Sequence, residues 1–107
     1  MMSQSTTKQL EADFHNRMLS IHERAKAECN YNATRFRSLV LAEGGLQAAK
    51  QLLSANQYSE GLTRLWEEGR LDISLEAAVL EEMWKSLFTE EELETAKQRL
   101  NELGYQT

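Results

Sequence analysis

The chain has 107 residues, a formal net charge of −5 and no proline, and 41% of its residues are apolar. That length allows one compact domain, and no apolar run approaches the roughly 18 residues of a membrane span. The first 30 residues lack a basic start followed by an apolar stretch, so we expect no secretory signal. A single cysteine, Cys29, excludes an internal disulfide and an all-thiolate zinc site. We therefore expect a helix-rich, soluble and cytoplasmic protein.

The first predicted element is a long amphipathic helix from about residue 6 to residue 29. Its apolar residues recur at spacings of three and four, which places them on one helical face: Leu10, Phe14, Met18, Ile21 and Ala25. A small domain can rarely bury such a helix along its whole length. We therefore expect this face to self-associate or to bind a partner through Leu10, Phe14, Met18 and Ile21.

Three shorter helices are predicted over about residues 32–44, 46–55 and 59–69. Their ends are indicated by Asn and Ser caps and by glycines, which adopt the left-handed conformation without a Cβ clash. In the third of these helices, Trp66 falls on the apolar face and is expected in the core. Gly61 in its first turn costs about 1 kcal/mol relative to alanine, so we expect a close packing contact there.

Two further helices complete the prediction. The first follows Ser74 and continues to Leu87, with Met83 and Trp84 on its apolar edges. The second begins at Thr89, which forms a capping box with the glutamate three residues later. No segment alternates apolar and polar residues for long enough to predict a strand.

The sequence therefore predicts an all-α fold, with a leading amphipathic helix in residues 1–30 and a compact bundle of about five short helices in residues 31–107. Over residues 31–104 the order of motifs resembles a small helical module of uncharacterised bacterial proteins. The motifs that carry this resemblance are Arg35-Phe36, Glu43-Gly44-Gly45, Ala48-Ala49-Lys50, Leu65-Trp66-Glu67, Gly69 to Ser74 with Glu76, and Phe88 to Leu93. The resemblance implies one fold and no established activity, so it carries over no catalytic residues.

No catalytic, cofactor-binding or metal site is predicted. His15, His22 and Cys29 lie seven residues apart on the first predicted helix. Seven residues rise about 10.5 Å along a helix, so two of these positions in one chain cannot bind the same ion, although a site shared across a dimer stays open. Cys29 is expected to be a half-buried structural residue, since no histidine lies within reach as a base.

A polar cluster of Arg70, Asp72 and Glu76 interrupts an otherwise apolar segment. One interpretation is structural, with Asp72 capping the fifth helix and Arg70 binding a carboxylate or the last carbonyls of the fourth helix. The other is a ligand or partner contact at Arg70 and Asp72, in the connector between two helices. Tyr58, in the connector before the fourth helix, is the aromatic residue predicted at the surface.

Charge is distributed unevenly along the chain. Residues 1–54 hold 7 basic and 5 acidic side chains, a balance of +2, whereas residues 55–107 hold 5 basic and 12 acidic side chains, a balance of −7. The acidic half is interpreted either as a solvated face or as a docking surface for a basic partner at Glu90, Glu91 and Glu94. Such acidity argues against direct binding to nucleic acid.

We therefore predict a non-enzymatic protein–protein interaction module. Its first surface is the leading helix, through which a homo-oligomer is one outcome, and its second is the acidic C-terminal half. The alternative is a small accessory or inhibitor protein, of the phage or mobile-element type, that acts on a nucleic-acid-processing complex. Both leave the partner's identity open, and neither involves a membrane.

Overall fold

A computed structural model describes residues 2–106 of the chain, with side chains described for residues 7–106. Over this range the chain is all-α and contains no strand, as the sequence predicts. The α-helices are α1 (Met2–Cys29), α2 (Thr34–Glu43), α3 (Gly45–Ser54), α4 (Glu60–Glu67), α5 (Leu75–Val79) and α6 (Glu90–Glu102). Two 3₁₀ segments, Leu71–Ile73 and Glu82–Leu87, lie on either side of α5. None of the described helices is long and apolar enough to cross a membrane.

Helix α1 lies at the centre of the fold. Its apolar stripe is buried in the main hydrophobic core, and the helix packs against α2, α3 and α5. The Phe14 ring meets Trp84 and Phe88 edge-on, with both pairs of ring centroids 5.4 Å apart. The leading helix is therefore part of the compact domain and not an appendage to it, because the shorter helices alone would leave this core open on one side.

The fifth predicted helix is shorter than expected. Helix α5 ends at Val79, and the chain continues through a turn into the 3₁₀ segment Glu82–Leu87. A 3₁₀ segment has three residues per turn, so the α-helical phase of the apolar edges is lost. Trp84 is buried as predicted, at 3% exposure, but Met83 is 61% exposed, and its predicted place at the edge of the core is wrong.

The helix caps follow local chemistry closely. Thr89 and Glu92 form the predicted capping box at the start of α6, and the Ser59 and Ser74 hydroxyls accept the capping bonds of α4 and α5. Asn32 is the exception: α2 has no side-chain cap, and the Asn32 amide oxygen instead lies 2.7 Å from Nε2 of His22. This places Asn32 in a contact between α1 and the connector.

Helices α1 and α3 approach each other closely at Gly45. A Cβ added there would lie 2.6 Å from Cα of His15, so only glycine fits. The Gly45 amide also donates a hydrogen bond of 2.9 Å to Nδ1 of His15, which satisfies one of the free N–H groups at the start of α3. The sequence predicts that Gly44-Gly45 ends α2. Gly44 is the residue that does so, with a φ of 87°.

Candidate functional site

The predicted partner-binding stripe of α1 is occupied within the chain. Phe14, Met18 and Ile21 are buried in the core, and the half-buried Leu10 packs against it. These side chains are therefore not a free surface in this structure, and the expectation that they are one is corrected. A partner could contact Phe14, Met18 and Ile21 only after α1 had left its place between α2, α3 and α5.

The predicted contact residues Arg70 and Asp72 are bound to each other and to α1. Arg70 donates two hydrogen bonds of 3.0 Å to the carboxylate of Asp72 and forms an ion pair of 2.7 Å with Glu28. Arg24 joins this network through Glu28 and Asp72, at 3.0 and 3.5 Å. The Arg70 guanidinium holds the pKa of Asp72 below its ordinary value.

This network joins the C-terminal end of α1 to the connector before α5. The charges of Arg70 and Asp72 are thus engaged inside the molecule, although both side chains stay partly exposed. Asp72 does not cap α5, since the cap is Ser74. Glu76, which the sequence groups with them, is absent from the ion pairs of this network.

Glu76 instead lies inside the protein with Arg99, a residue that the sequence did not indicate as its partner. The two side chains form an ion pair of 3.2 Å, and the two residues are 1% and 7% exposed. Burial raises the pKa of the Glu76 carboxyl above its ordinary value, against the opposing effect of Arg99. The available signal was a glutamate within the apolar run of residues 73–80, since a charge buried there needs a partner.

The acidic residues divide into two groups. Some of those in the C-terminal half serve the fold: Glu81 accepts hydrogen bonds from Arg17 and from the Trp84 indole, and Glu92 pairs with Lys50 at 2.7 Å. The predicted docking residues Glu90, Glu91 and Glu94 belong to the other group. They are exposed on α6 and form no ion pair within residues 7–106.

Two aromatic side chains are exposed near α4. Tyr58 lies at the surface as predicted, and its hydroxyl donates to the carboxylate of Glu102. Trp66 is 48% exposed, so its predicted place in the core is wrong. Leu62 and Leu65 supply the buried face of this eight-residue helix, and Trp66 lies beside that face.

The histidines and the cysteine of α1 have separate environments. His15 contacts α3, His22 contacts Asn32, and Cys29 is buried at the end of the helix. Among the described residues, no three His, Cys, Asp or Glu side chains lie close enough together to hold a metal ion. His15, His22 and Cys29 therefore lie in three separate environments and do not form a common site.

A groove opens between α2, the end of α3 and the start of α4. Its volume is about 280 Å³, and its walls include the half-buried side chains of Phe36, Leu39 and Leu52. A smaller pocket of about 30 Å³ continues inward from it. Gly61 lines both, and the close packing contact expected at this glycine is absent, since a Cβ there would meet only the Ser59 hydroxyl at 3.9 Å.

Comparison with known proteins adds no relative from which a role could be transferred. The chain matches no protein-family model, no curated protein and no solved structure. The candidate sites therefore stand on this chain's own geometry. They are the acidic face of α6 and the groove beside Gly61.

Proposed function

We propose that this chain is a non-enzymatic module that binds a basic protein partner through the acidic face of α6, defined here as Glu90, Glu91 and Glu94. One observation carries the proposal. These three carboxylates are exposed without an ion pair among the described residues, whereas Glu28 and Glu92 serve internal contacts. The acidic face is thus free to take a cationic partner.

The position of the carboxylates on α6 favours a docking surface over acidic residues that only face solvent at the start of a helix. Glu90 and Glu91 lie in the first turn, where negative charge is favoured by the helix dipole. Glu94 lies one turn further and faces Glu90, and like charges at this spacing destabilise a helix. A bound Lys or Arg side chain would relieve this repulsion between Glu90 and Glu94.

The leading helix contributes less support than the sequence suggests, because three of its four predicted contact residues are buried. Self-association through α1 would require the helix to exchange between two copies, as in a domain swap. The proposal therefore rests on the acidic face. Exposed charges of this kind mainly set partner choice and association rate, so binding is expected to weaken in high salt.

The test compares two triple variants with the same change in net charge. Glu90→Gln, Glu91→Gln and Glu94→Gln remove the acidic face, while Glu11→Gln, Glu23→Gln and Glu67→Gln remove exposed carboxylates elsewhere. Partners are captured on the full chain, crosslinked and identified by mass spectrometry at low and high salt.

We expect one basic partner to be recovered by the wild type and the control set at low salt, and to be lost with the α6 set. Recovery of the same partner by the α6 set, or capture insensitive to salt, would show the proposal to be wrong. Competition for that partner by a DNA duplex would assign the partner contact to a nucleic-acid site, as the inhibitor alternative predicts.

A further inference from the structure

The groove beside Gly61 is a concave apolar site that intramolecular packing leaves open. The aromatic residues Tyr31 and Phe36 and the aliphatic Leu52 line both the groove and its inward extension. Small-molecule sites in proteins are concave and mostly apolar, with a few polar groups that orient the ligand. The groove has this composition and is distinct from the acidic face of α6.

Gly61 is the first unexplained feature of this groove. It lies within α4, where glycine weakens a helix relative to alanine. Its φ is outside the left-handed region, and nothing within the chain crowds it closer than 3.9 Å. Neither a turn nor a close helix contact therefore requires glycine here, but a side chain at this position would take up space at the groove wall.

The second unexplained feature is a pair of opposite charges at the groove. Arg35, in the first turn of α2, and Glu60, the first residue of α4, both line it. Both are exposed, and neither forms an ion pair, with each other or with another residue, in the part of the chain whose side chains are described. The groove thus offers a cation and an anion above an apolar floor.

We propose that this groove binds a small zwitterion with an apolar side chain, of the class of the large apolar α-amino acids. The ligand carboxylate pairs with Arg35, its ammonium group pairs with Glu60, and its side chain packs on the apolar walls. A ligand with only one charge would be attracted by one of these residues and repelled by the other. A zwitterion satisfies both, which is why we commit to this class.

The size of the groove agrees with this class. An apolar cavity of about 150 Å³ holds one benzene molecule. The groove, at about 280 Å³, therefore has room for a molecule of roughly a dozen heavy atoms by the same scale, such as phenylalanine. Its free space next to Gly61 is the part that a side chain at that position would fill.

The test is an NMR titration of the full chain with three probes. L-Phenylalanine carries both charges, 3-phenylpropionate lacks the ammonium group, and 2-phenylethylamine lacks the carboxylate. We expect saturable shifts of the Gly61 and Phe36 amides with L-phenylalanine, and affinity about tenfold higher than for either analogue, as the loss of a charge-assisted hydrogen bond implies. Absence of saturable shifts, or equal affinity for all three probes, overturns the proposal.

Variants assign the two charges. Arg35→Gln should remove the preference for phenylalanine over the amine, and Glu60→Gln should remove its preference over the propionate. Arg37→Gln and Glu67→Gln are matched controls, since both residues are exposed on the same helices and do not line the groove. Loss of the same preference in the controls, or its retention in Arg35→Gln and Glu60→Gln, contradicts the assignment.

Gly61→Ala separates a ligand role from a structural one. Alanine favours the helix, so the melting temperature should rise, while the added methyl group narrows the groove and should weaken phenylalanine binding about tenfold. If Gly61 had only a structural role, Gly61→Ala would not combine a higher melting temperature with weaker phenylalanine binding. Unchanged binding in Gly61→Ala would show that the groove is not the site.

Discussion

Arg99 of α6 and Glu76 of α5 form an ion pair inside the protein, with Nη1 of Arg99 3.2 Å from Oε2 of Glu76. The same guanidinium donates to the carbonyls of Leu52, Leu53 and Ala55, at 3.0, 3.3 and 2.6 Å. These carbonyls lie at the C-terminal end of α3, where a helix has no N–H donors of its own left to satisfy them. One side chain therefore ties α3, α5 and α6 together.

Removal of Arg99 should be strongly destabilising. Arg99→Met leaves the Glu76 carboxylate buried without its partner and leaves three carbonyls without their donor, so we expect a loss of about 3–5 kcal/mol in unfolding free energy. Urea unfolding followed by circular dichroism measures it. Arg64→Met is the control, since the exposed pair of Arg64 with Glu68 should contribute less than about 1 kcal/mol. Equal losses in the two variants would contradict the role assigned to Arg99.

Two Gly→Ala substitutions should act in opposite directions. Gly45→Ala places a methyl group against the backbone of α1 and should destabilise the protein by about 1–3 kcal/mol. Gly61→Ala meets no such neighbour and should stabilise it by up to about 1 kcal/mol. Thermal unfolding of both variants under one buffer decides this, and a shift of the same sign in both would refute the two environments described for these glycines.

Phe14 should behave as a core residue and not as a contact residue. Phe14→Ala removes the ring that meets Trp84 and Phe88, and the resulting cavity should cost about 3–5 kcal/mol. Leu41→Ala, at an exposed position of α2, should change stability by less than about 0.5 kcal/mol. If the Phe14→Ala variant were as stable as the wild type, Phe14 would not be a core residue. The apolar face of α1 would then be a free binding surface.

The Glu81 carboxylate should contribute to acid unfolding. The Arg17 guanidinium, with help from the Trp84 indole, holds the pKa of Glu81 below its ordinary value of 4.5. The unfolded state therefore binds more protons, so this stabilisation is complete above the ordinary pKa and is lost as the pH falls through the folded pKa.

The Glu81→Gln variant has no carboxyl group at position 81, so it lacks the stabilisation that protonation of Glu81 removes in the wild type. Between about pH 6 and pH 3, the melting temperature of the variant should therefore fall less than that of the wild type. Glu23→Gln, which removes an exposed carboxylate of α1, is the matched control and should follow the wild type. A parallel decline of wild type and Glu81→Gln would rule out the assigned contribution.

The local elements of this protein could be predicted from the order of its residues. Two examples are the capping box at Thr89 and the buried stripe through Phe14 and Met18. Each depends only on residues that lie a few positions apart in the sequence. Such patterns depend on backbone hydrogen bonding and on helical periodicity, both of which act over one or two turns. For that reason the all-α class and most helix starts are correct.

The candidate sites could be predicted only in part. The exposed glutamates of α6 follow from the order of charged residues along the chain. The groove beside Gly61 does not, because its walls come from three helices separated in the sequence. Likewise Arg35 and Glu60 are unremarkable surface residues until α2 and α4 bring them to the same groove.

Only the tertiary structure decided which apolar face is covered and by what. Trp66 and Trp84 both fall on apolar faces in the sequence, yet Trp84 packs against Phe14 and Trp66 reaches solvent. The pairing of Glu76 with Arg99 spans 23 positions and joins two helices. Periodicity identifies the apolar side of each helix from its own residues, but burial depends on the neighbouring helix, which the long-range packing of the whole chain determines.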